Sequence, residues 1–179
     1  MRETKSGLYG VKELDKIIND FVKPFDCTAS FSLDFAYYYA DNDITYSLIT
    51  TPKANHFFKK NLVDNYNFYM VKDDVDMFIF SLLHELGHHH TMDDISNVKW
   101  RVVNFKHWLV EKLYRLTNAD CIYNKYFTLE DEWLATKWAC NYWKTHINDI
   151  KKLKKVLVVA IQKFYSKNQI FLNPDFVEE

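Results

Sequence analysis

An α+β fold is the reading of this chain, and three patterns carry it. Residues 29–39, ASFSLDFAYYY, place Ala29, Phe31, Leu33, Phe35, Tyr37 and Tyr39 on one side of an alternating run, the signature of a strand. A second alternating run, Ile44, Tyr46, Leu48 and Thr50, comes after the turn-forming DND at 41–43, so the two runs predict an antiparallel hairpin. Most of the chain beyond Pro52 has apolar residues three and four positions apart, as amphipathic helices do.

In chain order, Val11, Leu14, Ile17, Ile18 and Phe21 predict a first helix. It should stop before Pro24, which disfavours helical geometry at Lys23. After the hairpin, ended by Pro52, a short helix over 53–63 and a strand over 66–71 are expected. Asp73 or Asp74 can cap the next helix, whose apolar face is Val75, Phe78, Ile79, Leu82, Leu83 and Leu86. Val98, Val102, Phe105, Leu109, Leu113 and Leu116 predict another helix. TLED at 128–131 has the form of a capping box, Thr128 with Asp131, opening a helix that runs to about His146. Ile147, Ile150, Leu157, Ile161 and Phe164 mark a last amphipathic helix over about 147–166, with the lysines of KKLKK on a solvated face.

The length, 179 residues, suits one domain over 1–179 with a core over about 25–146. Hydrophobic residues make up 48% and aromatic residues 17%, enough for an aromatic-rich core. Three glycines and no GxGxxG or P-loop pattern argue against a phosphate-binding loop. A net charge of -1 leaves no electrostatic footprint for nucleic acid. Cys27, Cys121 and Cys140 form no CxxC pair and read as reduced thiols. The start, MRETKSGLYG, lacks the apolar core of a signal peptide, and VLVVAI at 156–161 is too short to span a bilayer. A soluble cytoplasmic protein with no membrane partner is the expectation.

The chemistry concentrates in SLLHELGHHHTM at 81–92, which holds four of the chain's seven histidines. His84 and His88 are one helical turn apart, so they project from one face with Cβ atoms about 6 Å apart and can chelate one ion. Glu85 is rotated by about 100° and can stand beside the ion without ligating it. Zinc accepts two imidazoles readily and, in catalytic sites, keeps a position for water. It lowers the pKa of that water, and a neighbouring carboxylate can take the proton. This is the physical content of HExxH. His89 and His90 point elsewhere and read as exposed residues at the negative end of the helix dipole. His56, His107 and His146 are isolated in sequence and read as structural.

A catalytic zinc needs a third protein ligand. The metzincin continuation is excluded, because Thr91 and Asp94 stand where its glycine and histidine belong. Asp93, Asp94, Glu111, Asp120, Glu130, Asp131 and Glu132 are the downstream candidates. Glu132 is preferred: it shares a helix face with Ala135 and Ala139, and small residues there let two helices approach until a short carboxylate reaches an ion held by the other. Glu130 and Asp131 read as first-turn partners of the helix dipole.

HELGH at 84–88 followed by EWLATKWA at 132–139 resembles the ImmA/IrrE family of zincin metallopeptidases. Its second motif, ExxAxxFA, is matched at Glu132, Ala135 and Ala139, with Trp138 where phenylalanine is usual. The resemblance covers roughly residues 65–145. It implies a compact gluzincin fold, a small sheet with an HExxH helix and a glutamate-bearing helix, with zinc held by His84, His88 and Glu132. Members are often encoded by phages and mobile elements, and some cleave helix-turn-helix repressors.

The leading expectation is therefore a zinc metallopeptidase that hydrolyses a peptide bond in a cytosolic protein, a transcriptional repressor being one such substrate. Glu85 is its general base, and Tyr123, Tyr126 or Tyr142 its oxyanion donor. An extended substrate would add to the edge of strand Ile44–Thr50. Two rival readings are a non-catalytic zincin-fold protein that binds a regulator or host factor, and a structural zinc site closed by a fourth ligand such as His107 or Asp93.

Overall fold

A computed structural model of the chain describes residues 8–32, 38–40, 42–48, 52–91, 97–117 and 125–168. Among the described residues, six full helices and three short strands follow one another as α1 (Val11–Val22), β1 (Thr28–Phe31), β2 (Tyr38–Ala40), β3 (Asp43–Tyr46), α2 (Pro52–Tyr66), α3 (Asp74–Thr91), α4 (Asn97–Thr117), α5 (Glu130–Thr145) and α6 (Ile147–Asn168). The class is α+β, dominated by helices.

The helix α1 ends at Val22, and a 3₁₀ turn over Lys23–Phe25 takes up Pro24. Asp26, at φ 58, then turns the chain into β1. Only part of the long alternating run at 29–39 is strand among the described residues, and residues 33–37 lie outside them, as do Asp41, Ile49 and Thr50.

The sheet corrects the expectation of an all-antiparallel arrangement. Its order is β1-β3-β2. β2 and β3 form the antiparallel hairpin, Tyr39 opposite Ile44, but β1 pairs with β3 in parallel, Ala29 opposite Ile44. Alternation specifies which face a residue shows, not the direction of its neighbour, so the parallel pairing had no signal. β3 is thus the central strand. The expected substrate edge along Ile44–Thr50 is already paired on both sides over Asp43–Thr45. Strand β1 has an edge, but Asn19 of α1 occupies it: the Ala29 N–H donates to Asn19 Oδ1 (2.9 Å), and Asn19 Nδ2 donates to the Ala29 carbonyl (2.7 Å).

The central helix is α3. Its residues are buried in unbroken succession from Val75 to Gly87, so it is enclosed on all sides. Asp73 caps it: the Asp76 N–H donates to Asp73 Oδ1 (2.8 Å), while Asp76 Oδ2 accepts from the N–H groups of Lys72 (3.0 Å) and Asp73 (3.4 Å). Lys154 of α6 ion-pairs with both Asp73 and Asp76, so one lysine of KKLKK is a tether rather than part of a solvated face. The core gathers Leu14 and Ile18 of α1, Ile44 and Tyr46 of β3, Phe78, Ile79 and Leu82 of α3, and Leu157, Ile161 and Phe164 of α6.

Two local expectations fail. No strand forms at 66–71; Asn67, at φ 49, instead terminates α2, with the Phe68 N–H donating to the Leu62 carbonyl (3.0 Å). Thr128 does not cap α5, because its hydroxyl donates to the Lys125 carbonyl (2.8 Å) and the helix starts after Leu129. The apolar stripe of α4 does form a helix, but Val102, Phe105, Leu109, Leu113 and Leu116 are exposed and Val103 is the buried residue. No described helix is long and apolar enough to cross a membrane.

Candidate metal centre

Helices α3 and α5 are packed closely enough to share a site, and one glycine permits it. A Cβ on Gly87 would sit 2.4 Å from the Ala135 carbonyl oxygen and 2.8 Å from the Ala135 Cα. Backbone therefore meets backbone between the two helices. The small-residue face expected on α5 is real, and Gly87, inside HELGH, is its counterpart on α3. Ala135 and Ala139 are both fully buried.

That approach brings Glu132 to the histidine pair. His84 Nε2 lies 3.0 Å from Glu132 Oε2 and 3.2 Å from His88 Nε2, and His88 Nε2 lies 3.7 Å from Glu132 Oε1. The three residues form one of two described groups whose ligand atoms all fall within 4.8 Å of one another. A tetrahedral zinc with bonds of about 2.0–2.1 Å holds its ligand atoms about 3.3 Å apart. The observed spacings bracket that value, and the chemistry of the donor set, two imidazoles and one carboxylate, fits zinc.

The protonation states suit the same use. Burial, reinforced by the charge of His84, lowers His88 to about 4, so it is a neutral imidazole at pH 7. Burial alone would raise Glu132, but the hydrogen bond and charge of His84, the charge of His88 and a hydrogen bond from the Tyr126 hydroxyl bring it down to about 2. Glu132 is thus a carboxylate throughout the ordinary range. His84 is lowered by burial and raised more strongly by Glu132, for a net upward shift. Its Nδ1 faces Thr136 Oγ1 at 3.1 Å. With the proton on Nδ1 donated to Thr136, Nε2 is left free as a ligand atom.

Glu85 is buried beside this cluster, and burial pushes its carboxyl up to about 7 against the opposing pull of His84. Tyr126 is likewise raised by burial and by the charge of Glu132, so it keeps its proton. An aromatic wall closes one side: the Phe58 ring meets His84 edge-on at 5.6 Å and stacks on Phe127 at 5.1 Å.

The remaining candidates separate cleanly. Glu130 pairs at the surface with Lys99 (2.9 Å). Asp131, in the first turn of α5 as expected, is buried and also bound to His107 Nε2 (2.7 Å), a pairing of two residues the sequence had read separately. Glu111 is exposed on α4. Asp93, Asp94, Asp120, Cys121 and Tyr123 lie outside the described residues. His90 stacks on Trp138 (4.6 Å) and His146 on Tyr142 (4.1 Å), in a column that also holds Phe25, so Tyr142 is committed to stacking there. His89 is half-buried, not fully exposed.

Thr136 and the His107–Asp131 pair were not foreseen. For Thr136 a signal existed: it stands four residues after Glu132, hence on the same face of α5.

No protein-family model, curated protein or solved structure matches the chain.

Proposed function

We propose that the chain is a zinc-dependent peptidase of the gluzincin type, with His84, His88 and Glu132 as ligands and Glu85 as general base. The observation that carries this reading is the convergence of Glu132 with both histidines of HELGH from a separate helix, with the Glu85 carboxyl buried alongside. A carboxylate beside a metal-bound water can both accept and return its proton. A purely structural site has no use for one, and burying it is costly.

Zinc bound there would polarise the scissile carbonyl and acidify the attacking water. Glu85 would take that water's proton on a carboxylate oxygen and deliver it to the leaving amine. Of the described tyrosine candidates, Tyr126, which stays protonated and reaches Glu132, would turn its hydroxyl from that carboxylate to the developing oxyanion. Thr136 would hold the His84 ring. The substrate is a peptide segment of a cytosolic protein, and the resemblance to ImmA/IrrE peptidases and their zincin fold directs the first trial to helix-turn-helix repressors. With β1 sealed by Asn19 and β3 central, the edge left for an extended peptide among the described residues is β2, which also packs on α3.

The test is proteolysis by the zinc-loaded chain of a peptide library and of candidate repressors, in parallel with Glu85→Gln. Glu85→Gln should retain zinc and lose about 10²–10⁴-fold in cleavage rate, the usual contribution of a general base. Cleavage at an unchanged rate removes Glu85 from the reaction. Capture of a target by both proteins with cleavage by neither would instead make the chain a binding module.

A further inference from the structure

His107 and Asp131 border the three-ligand cluster without belonging to it. His107 comes from α4 and Asp131 from the first turn of α5, next in sequence to Glu132. Their donor atoms and one of Glu132 all lie within 4.8 Å of one another, the second such group among the described residues. We propose that His107, Asp131 and Glu132 hold a second divalent transition-metal cation, with Glu132 bridging it to the ion on His84 and His88.

An ordinary histidine–aspartate pair does not account for what is there. The hydrogen bond from His107 Nε2 engages Asp131 Oδ2 alone, at 2.7 Å. The side chain of Asp131 is only 9% exposed, and its other oxygen, Oδ1, is enclosed without a hydrogen-bond partner among the described residues. Buried carboxylate oxygens normally have partners, and one left bare on a residue that borders two further ligand groups calls for a positive charge. A cation answers that need, and one imidazole with two carboxylates is a donor set for zinc, manganese or iron rather than for calcium or magnesium.

Glu132 can serve both ions. A carboxylate offers about four lone-pair positions on two oxygens, enough for a ligand bond to each ion and the hydrogen bond from Tyr126. The surroundings are ordered for the purpose: the His107 ring packs edge-on against Tyr126 at 5.2 Å, and that same tyrosine hydroxyl holds Glu132. His107 is half-buried on α4, so its ring can withdraw the few tenths of an ångström that an ion between it and Asp131 requires. In paired sites of this kind the ions stand about 3.5–4 Å apart and divide between them the stabilisation of attacking and departing oxygens.

The proposal rests on the first site, and counting ions separates the fate of the two. Zinc or manganese is titrated into metal-free protein, bound ions per chain are counted by native mass spectrometry, and folding is checked by circular dichroism. The wild type should saturate at about two ions per chain, as a bridged pair requires. His107→Ala and the near-isosteric Asp131→Asn should each lower the count to about one and leave the tighter ion in place. A wild type that saturates at one ion overturns the second site and spares the first, whatever the variants do. A wild type that binds none overturns both. Two ions in the wild type and still two in folded His107→Ala or Asp131→Asn place the second ion elsewhere, which also overturns the proposal.

Discussion

At the scale of single residues, the candidate site gives neighbouring groups opposite protonation tendencies. Glu85 is raised to about 7 by burial, Glu132 is brought down to about 2 by its partners, and His88 is lowered to about 4. The linkage has a definite sign. Glu85, raised on folding, adds stability below its unfolded pKa of about 4.5 and loses it as pH rises through about 7. His88, lowered on folding, does the reverse, with stability present above about 6.5 and lost as pH falls through about 4. The two oppose each other over nearly the same interval, so the metal-free wild type should respond weakly there. Removing Glu85 exposes its share. The stability of metal-free Glu85→Gln relative to wild type should climb between pH 4.5 and about 7 and level off above, as read from urea midpoints. A flat difference across that interval would mean that Glu85 is not held protonated. Thr136 acts on the other histidine. Thr136→Val keeps the shape but removes the acceptor facing His84 Nδ1, and the expected cost is about 10–100-fold in zinc affinity, measured by competition with a chromophoric chelator. Unchanged affinity would show that the ring is oriented by its packing against Phe58 instead.

At the scale of elements, the decisive contact is the crossing of α3 and α5. The three candidate ligands are divided between these helices, so the spacing of the site is the spacing of the helices. Gly87→Ala inserts a methyl group where the Ala135 backbone already stands at 2.4 Å. Helix propensity alone would favour alanine by about 1 kcal/mol, yet forced overpacking costs about 1–3 kcal/mol and opposes it. The expected result is a protein no more stable than wild type in its metal-free form and clearly weaker in zinc binding, because Glu132 is pushed away from His84 and His88. Thermal unfolding with and without zinc measures both. A variant that gains stability and keeps full zinc affinity would show that the two backbones are not locked together.

Much of this was legible at the level of elements. Helical periodicity located the HELGH helix, aspartates at 73 and 74 announced its cap, and Ala135 and Ala139 singled out Glu132 from seven acidic candidates. Each of those signals is local: period, cap, small side chain. The features that escaped depend on partners remote in sequence. The parallel pairing of β1 with β3, the closure of the β1 edge by Asn19 and the meeting of His107 with Asp131 are decided by packing, for which alternation and spacing carry no record. The stripe on α4 makes the same point from the other side. Its periodicity was sufficient to predict a helix and insufficient to say that Phe105 and Leu116 would face outward.

At the scale of the whole molecule, the candidate metal centre sits on a helix that is buried without a break from Val75 to Gly87. Strands β2 and β3 lie against α3 on one flank, α6 ties its start through Lys154, and α5 brings Glu132 to it. The ends of the described chain are fastened together, since the Tyr9 N–H donates to Asn168 Oδ1 (3.0 Å) and Asn168 Nδ2 donates back to the Tyr9 carbonyl (2.9 Å). Such a frame holds ligand atoms within a few tenths of an ångström before any ion arrives, which is what a preorganised site requires. The most direct trial of the account is anomalous diffraction at the zinc edge from crystals of the zinc-loaded protein. The account predicts a peak bonded at about 2.0–2.2 Å to His84 Nε2, His88 Nε2 and an oxygen of Glu132. Zinc found only elsewhere, on His89 or His90 for instance, with those three donors still in contact with one another, would contradict it.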